Sequence, residues 1–311
     1  MPRAGHDGSV HDHDHGPSAA ADRRWLAVAL ALLLAFLVAE VAVAIVAGSL
    51  ALLSDAGHLL TDVVAIALAL AAIRLGDRPA AGHLTFGMKR LEILSASVNG
   101  ITLLVIAALV AVEAVRRLLD PPDVAGWPVL VTALVGCVVN VAVAWLMARA
   151  DRTSLAVEGA FQHVLTDLYG FIGTAVAAVV ILATGWTRAD PIASLVVVAL
   201  LLYAAWGLLR DSGRVLLEAA PRDTDLIAMR EHLLDVPHVR DVHDLHVWTV
   251  TSSLPALSAH VVIEQDCFED GHAPQILDQI TECLAGHFDL EHCTFQLEPP
   301  GHTSHEAGAH A

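Results

Sequence analysis

Two copies of one five-residue pattern, His58-Leu59-Leu60-Thr61-Asp62 and His163-Val164-Leu165-Thr166-Asp167, lie inside apolar stretches of a 311-residue chain. On a helix, positions i and i+4 share a face one turn apart, so each pattern aims one imidazole and one carboxylate the same way. Two such helices face to face supply two nitrogen and two oxygen ligands. That set suits a tetrahedral divalent ion such as Zn²⁺. A charged residue in the hydrocarbon core costs roughly 3 kcal/mol on insertion scales, so such residues usually mark a pathway. Four buried ionisable groups with no common purpose would be expensive, which favours a shared metal site over two hydrogen-bonded core histidines. Gly57, Gly159, Gly170 and Gly173 share these two stretches and let helix backbones approach closely. Asp55 falls near the face of His58 and reads as a carboxylate on the ion's way in. Gln162, Asn140, Asn99 and Glu40 read as interhelical hydrogen bonds or the lining of a wet cavity.

Such a ligand set implies a mechanism. Metal ligation needs neutral imidazoles and ionised carboxylates, so binding releases protons. Histidine titrates near physiological pH. A site open to the cytoplasm loads metal; facing a more acidic outer side, His58 and His163 take protons and release it. Alternation between the two states exchanges metal for protons.

The elements that must hold these residues are membrane spans. The chain is 56% hydrophobic and only 16% charged, with a mean hydropathy of +0.61, values that define a polytopic membrane protein. Six apolar stretches, near 25–47, 50–73, 91–115, 127–148, 155–184 and 190–210, are each long enough to cross a bilayer. Gly48-Ser49 makes a tight hairpin of the first two, Pro121-Pro122 breaks the chain between the third and fourth, and Gly185 and Pro191 bracket the turn before the sixth. An even number of spans puts both termini on one side. That side collects Arg23, Arg24, Arg74, Arg78, Lys89, Arg90, Arg149, Arg152, Arg210 and Arg214, against Arg116, Arg117 and Arg188 on the other. Ten against three orients both termini to the cytoplasm.

The net charge of -17 gathers in the N-terminal tail and between 218 and 306. It excludes a nucleic-acid partner and fits capture of cations. The four cysteines form no C-x-x-C pattern and suggest a reducing compartment for the C-terminal part. Residues 1–22 are polar and His-rich and do not read as a cleaved signal. Abundant Ala and Arg with a single lysine hint at a bacterial source, hence the inner membrane.

The expected organisation is a disordered tail over 1–22, a six-span domain over 23–214, a small domain over 215–299 and a second disordered His-containing tail over 300–311. In the small domain, 222–235 and 273–286 read as helices. Strands are expected at 239–250, 257–264 and 292–297, with a turn at 252–255. The order αββαβ predicts an α+β sandwich with two helices on one face of a three-stranded sheet. Its modest core would gain from dimerisation.

Four stretches together resemble the cation diffusion facilitator family in its zinc-exporting branch. They are Ser49 to Asp62; Phe86-Gly87-Met88-Lys89-Arg90-Leu91-Glu92; His163 to Asp167; and Val242-His243-Asp244-Leu245-His246-Val247-Trp248. The resemblance covers residues 20–299 and implies a six-span homodimer, a ferredoxin-like cytoplasmic domain and metal/proton antiport through His58, Asp62, His163 and Asp167. A first ligand that is His rather than Asp resembles members favouring zinc over cadmium. Some members hold a metal cluster in the cytoplasmic domain. By resemblance its positions here are His243, His260 and Glu298, with His272 from the partner subunit, while Gln296 replaces one ligand. The zinc there would be structural or regulatory. Leu84 and Met88 stand where some members carry histidines of a loop site, leaving His83 and Asp77 as weak substitutes. Arg90 and Glu218 resemble a charge pair tying the third span to the cytoplasmic domain.

The leading expectation is therefore a zinc exporter and not an enzyme. Cd²⁺, Co²⁺, Ni²⁺, Mn²⁺ and Fe²⁺ remain alternative cargoes, since affinity order alone does not set selectivity. A membrane protease is disfavoured because no H-E-x-x-H is present. A sensor without transport would not need four ligands near mid-membrane.

Overall fold

The computed structural model describes residues 19–47, 50–121, 126–150, 154–252, 254–287 and 292–305, with the backbone alone over 19–22, 43–44, 47, 50–58, 126, 128, 285–287, 303 and 305. Its first part is helical throughout: α1 (Ala19–Ala47), α2 (Leu50–Gly76), α3 (Leu91–Leu119), α4 (Gly126–Met147), α5 (Leu155–Thr184) and α6 (Ala189–Leu216). All six are long and apolar enough to cross a membrane. At a 1.5 Å rise per residue, helices of 22 to 30 residues exceed a hydrocarbon core of about 30 Å. Several therefore run past the expected spans. α3 continues through Arg116 and Arg117, where Arg117 Nε donates to Glu113 Oε1 at 2.9 Å one turn back. The expected hairpin turn at Gly48-Ser49 lies outside the described residues.

Helix ends follow local chemistry. α5 stops at Gly185, whose φ of 73° is left-handed and whose N–H donates to the Ile181 carbonyl at 2.8 Å. Its start is less ordinary. Ser154 has extended cap geometry, but its side chain makes no capping bond. Leu155 N–H instead donates to Glu92 Oε1 at 2.9 Å and to Ser252 Oγ at 3.2 Å, and Ser252 Oγ donates to the same Glu92 oxygen at 2.6 Å. One carboxylate of α3 thus caps α5 and binds the C-terminal domain.

The buried side chains divide the spans. Leu26 and Leu33 of α1, Ile66 and Ala69 of α2, Val143 and Met147 of α4, and Ala160 and Val164 of α5 form one core. Leu103 and Ala107 of α3 pack separately on Leu201, Ala205 and Leu208 of α6. A four-helix bundle thus lies beside a helix pair, and Ala177 and Ile181 of α5 with Ala189 of α6 join the two. Close approach depends on two glycines: a Cβ at Gly136 would sit 2.4 Å from the Phe171 ring, and one at Gly100 would sit 3.0 Å from the Leu209 side chain. The outer surface is apolar, with Leu109, Val138, Val176 and Val196 all exposed. Water would tolerate that band poorly, whereas lipid solvates it. Arg149 lies over the Trp145 ring, 3.4 Å from its centroid.

The second part contains α7 (Leu226–Leu234), β1 (Val239–Thr251), β2 (Leu254–Ile263), the single turn α8 (Asp266–Glu269), α9 (Ala273–His287) and β3 (His292–Glu298). The sheet order is β1-β2-β3, with β1/β2 antiparallel and β2/β3 parallel. This is the expected three-stranded α+β domain with one short helix added. α7 starts later than expected because Asp225 caps it, accepting from Ile227 and Ala228 N–H at 2.9 and 3.1 Å. Met229 and Leu233 of α7 and Ile276, Ile280 and Leu284 of α9 pack on Val242, Leu257, Ala259, Val261 and Ile263 of the sheet. A bulge between His243 and His246, with Asp244 at φ 46°, interrupts β1. After β3, His302–His305 form a 3₁₀ turn where an unstructured tail is expected.

Candidate metal centre

α2 and α5 bring Asp62 and His163 together from different spans. Asp62 Oδ1 lies 3.2 Å from His163 Nε2. Ligand atoms around a tetrahedral Zn²⁺ at 2.0–2.1 Å are about 3.3 Å apart, so this pair already stands at the edge length of such a site. Asp167, one turn after His163, offers a third ligand atom, and all three lie within 4.8 Å of one another. His163 is wholly buried and Asp62 is 2% exposed. Asp62 Oδ1 and His163 Nδ1 make no hydrogen bond, an arrangement that a folded interior rarely keeps without use. The backbone of α2 is helical through His58, which puts it one turn before Asp62. The side chains of His58 and Asp55 lie outside the described residues.

A cavity of about 480 Å³ opens beside these groups, lined by Asp62, Asp167, Glu40, Asn140 and residues of all six spans. Of the polar residues singled out, Glu40 and Asn140 line it, as expected of a wet cavity. Gln162 and Asn140 make intrahelical side-chain bonds. Gln162 Nε2 donates to Glu158 Oε1 at 2.5 Å and Asn140 Nδ2 to the Gly136 carbonyl at 3.2 Å, each within its own helix. Thr61 Oγ1 lies 3.4 Å from His163 Nε2, a neighbour that the spacing argument overlooked.

A second group sits on the sheet of the C-terminal domain. His243 and His260 are directly paired across β1 and β2, with ring centroids 5.1 Å apart. Glu298, at the end of β3, places Oε1 2.6 Å from His260 Nδ1 and Oε2 3.6 Å from His243 Nε2. Gln296 Nε2 donates to Glu298 Oε1 at 2.8 Å, so it orients the carboxylate. Asp244, carried inward by the bulge, also offers an oxygen to His243 and His260 and was not singled out from the sequence. His272 pairs with Asp270 of its own chain at 2.7 Å, and that hydrogen bond holds the Asp270 carboxyl below the usual carboxylate range. Of the two weak substitutes for the loop site, Asp77 places Oδ2 2.7 Å from Arg23 Nη1, and His83 is exposed. Arg90 and Glu218 do meet, at 3.1 Å.

Apolar spans with converging histidine and aspartate side chains, followed by a small α+β domain, define a multi-pass membrane protein for metal cations. The chain belongs to the cation efflux family, also known as the cation diffusion facilitators. The family's cation efflux transmembrane domain matches residues 26–217, and its cation efflux protein cytoplasmic domain matches 221–300. The zinc transporter ZitB of Escherichia coli (strain K12) is 39% identical over 93% of this chain and 92% of its own length. The cadmium, cobalt and zinc/H(+)-K(+) antiporter of Bacillus velezensis is 36% identical over 93% of each. A solved structure, the metal-bound C-terminal domain of the CzcD transporter, is 35% identical over 24% of this chain and 99% of its own, with a TM-score of 0.21. The chain is thus a metal cation efflux protein with the membrane topology of a transporter.

Proposed function

We propose that this chain exports Zn²⁺ from the cytoplasm across the bacterial inner membrane in exchange for protons, using His58, Asp62, His163 and Asp167 as transport ligands. The observation carrying the reading is the 3.2 Å approach of Asp62 Oδ1 to His163 Nε2 from two spans, beside Asp167 and a polar-lined cavity. Two imidazole and two carboxylate donors suit a tetrahedral borderline ion better than the hard, octahedral Mg²⁺. The zinc named in both relatives' descriptions supports the same cargo.

The exchange follows from the donors. Zinc binds when the two imidazoles are neutral and both carboxylates ionised; protons on the same atoms expel it. Metal and protons therefore occupy the site alternately, and a proton gradient drives the ion outward. Ten basic residues against three support a cytoplasmic side for both termini. The protein works as a homodimer, in which the cytoplasmic domains hold zinc at His243, His260 and Glu298 with His272 of a second copy as a further ligand.

Reconstitution in liposomes, with zinc and proton flux followed together, tests this. Zinc movement with opposite proton movement, lost in Asp62→Ala and Asp167→Ala, is expected. Zinc binding without flux would replace antiport with a sensing role, and equal flux of Cd²⁺ or Co²⁺ would widen the cargo.

A further inference from the structure

A third convergence of ligand-type side chains lies at the far end of the β1–β2 ladder and shares no residue with the two groups above. Beyond the last pair, Val239 with Ile263, Glu264 N–H donates to the His238 carbonyl at 3.0 Å. Cys267 N–H then donates to the Glu264 carbonyl at 3.1 Å as α8 begins. These two backbone bonds bring His238, Glu264 and Cys267 to one corner. His238 Nδ1 lies 2.8 Å from Glu264 Oε2, while Arg240 Nη2 holds the other oxygen, Oε1, at 2.5 Å. The arginine therefore fixes the carboxylate with Oε2 turned to the histidine. The three ligand atoms lie within 4.8 Å of one another. The sulfur is at the buried floor, at 2% exposure for Cys267, and the imidazole is at the open mouth, at 53%. Burial foremost, then the nearby Asp270, Glu264 and Asp266 carboxylates, pushes the Cys267 thiol up, so the sulfur keeps its proton until a bound cation displaces it.

A separate feature concerns the backbone. His238 has φ 72°, a left-handed conformation that glycine adopts without strain and histidine does not. A strained non-glycine residue persists where surrounding structure fixes it, and such residues gather at functional positions.

We propose that His238, Glu264 and Cys267 form a cation site of their own, for a borderline or soft divalent ion of the Zn²⁺ or Cd²⁺ class. One nitrogen, one oxygen and one sulfur donor match that class; a hard ion such as Mg²⁺ or Ca²⁺ takes oxygen ligands instead. In a tetrahedral set with Zn–N and Zn–O near 2.0–2.1 Å and Zn–S near 2.3 Å, ligand atoms stand about 3.3–3.8 Å apart. His238 and Glu264 need only open slightly to admit the ion. Water completes the fourth position. On binding, the ion displaces the thiol proton of Cys267 to solvent, and no electron is transferred.

The test uses the full-length protein with Cys137→Ser, Cys283→Ser and Cys293→Ser, leaving Cys267 as the sole thiol, titrated with Co²⁺. A thiolate-to-cobalt charge-transfer absorption, removed by added Zn²⁺, is expected. It disappears in Cys267→Ser. In His238→Gly, where glycine relieves the left-handed backbone and folding is preserved, Co²⁺ affinity falls by more than about tenfold, since losing even a supporting outer group costs roughly 10–100-fold. Absence of the absorption in the sole-thiol protein overturns the site, and so does an undiminished affinity in His238→Gly.

Discussion

Replacing Glu92 by alanine removes one acceptor from two donors in different parts of the molecule. Leu155 N–H, at the start of α5, and Ser252 Oγ, in the β1–β2 turn, both donate to Glu92 Oε1, at 2.9 and 2.6 Å. Hydrogen bonds to a charged acceptor contribute about 1.5–3 kcal/mol each when well made. The group is half-buried, and Leu155 N–H keeps Ser252 Oγ at 3.2 Å, so the loss is partial. The carboxylate also sits at the positive end of α5, worth about 0.3–1 kcal/mol. Glu92→Ala should therefore destabilise the protein by about 2–3 kcal/mol, Ser252→Ala by about 1. Because the two residues share one bond, the double variant should fall short of the sum by at least about 0.5 kcal/mol. Equilibrium unfolding in mixed micelles gives the cycle, and zinc flux in liposomes gives the consequence. α5 carries His163 and Asp167, so flux should fall although no proposed ligand has changed. Energies that add to within about 0.3 kcal/mol would refute the shared contact, and full flux in Glu92→Ala would refute its link to α5.

Gly136→Ala places a methyl 2.4 Å from the Phe171 ring and should cost about 1–3 kcal/mol by overpacking, with Phe171→Leu restoring stability in the same unfolding measurement. His260→Ala leaves the 1%-exposed Glu298 carboxylate short of its nearest partner and should destabilise the C-terminal domain by about 1–3 kcal/mol, read by thermal unfolding. Arg90→Ala should shift stability by less than about 1 kcal/mol, because its pair with Glu218 is 42% and 61% exposed. Zinc binding by equilibrium dialysis in Asp62→Asn should lose one transport-site ion per chain while the soluble-facing sites keep theirs.

The spans and the α+β order were legible because both depend on local signals. Apolar runs longer than a bilayer and β-branched segments broken by turn residues need no knowledge of tertiary contacts. The convergence of Asp62 with His163 was legible for the same reason: the i, i+4 spacing fixes each face, and two identical faces invite pairing. Asp244 was not, since only the β1 bulge turns it towards His243 and His260. Nor was Glu92, which reads as an ordinary acidic residue in a first helical turn. Its partners are 63 and 160 residues away, and no local pattern carries that information. The corner at His238 lay hidden for a third reason, as a left-handed histidine has no sequence signature of its own.

The boundary between the four-helix bundle and the α3–α6 pair has one further consequence. α5 presents Gly159 to Ala96 and Asn99 of α3 and to Leu208 of α6, and Gly173 to Ala193 and Val197 of α6. The bare backbone at these glycines leaves hollows in which Leu208 and Val197 of α6 seat as knobs. The buried cluster of Ala177 and Ile181 of α5 with Ala189 of α6 crosses the same boundary, so the joint is keyed. Movement of one group of helices against the other must carry α6 along with α5 or unseat these side chains, so the seam acts as a latch with a definite seat.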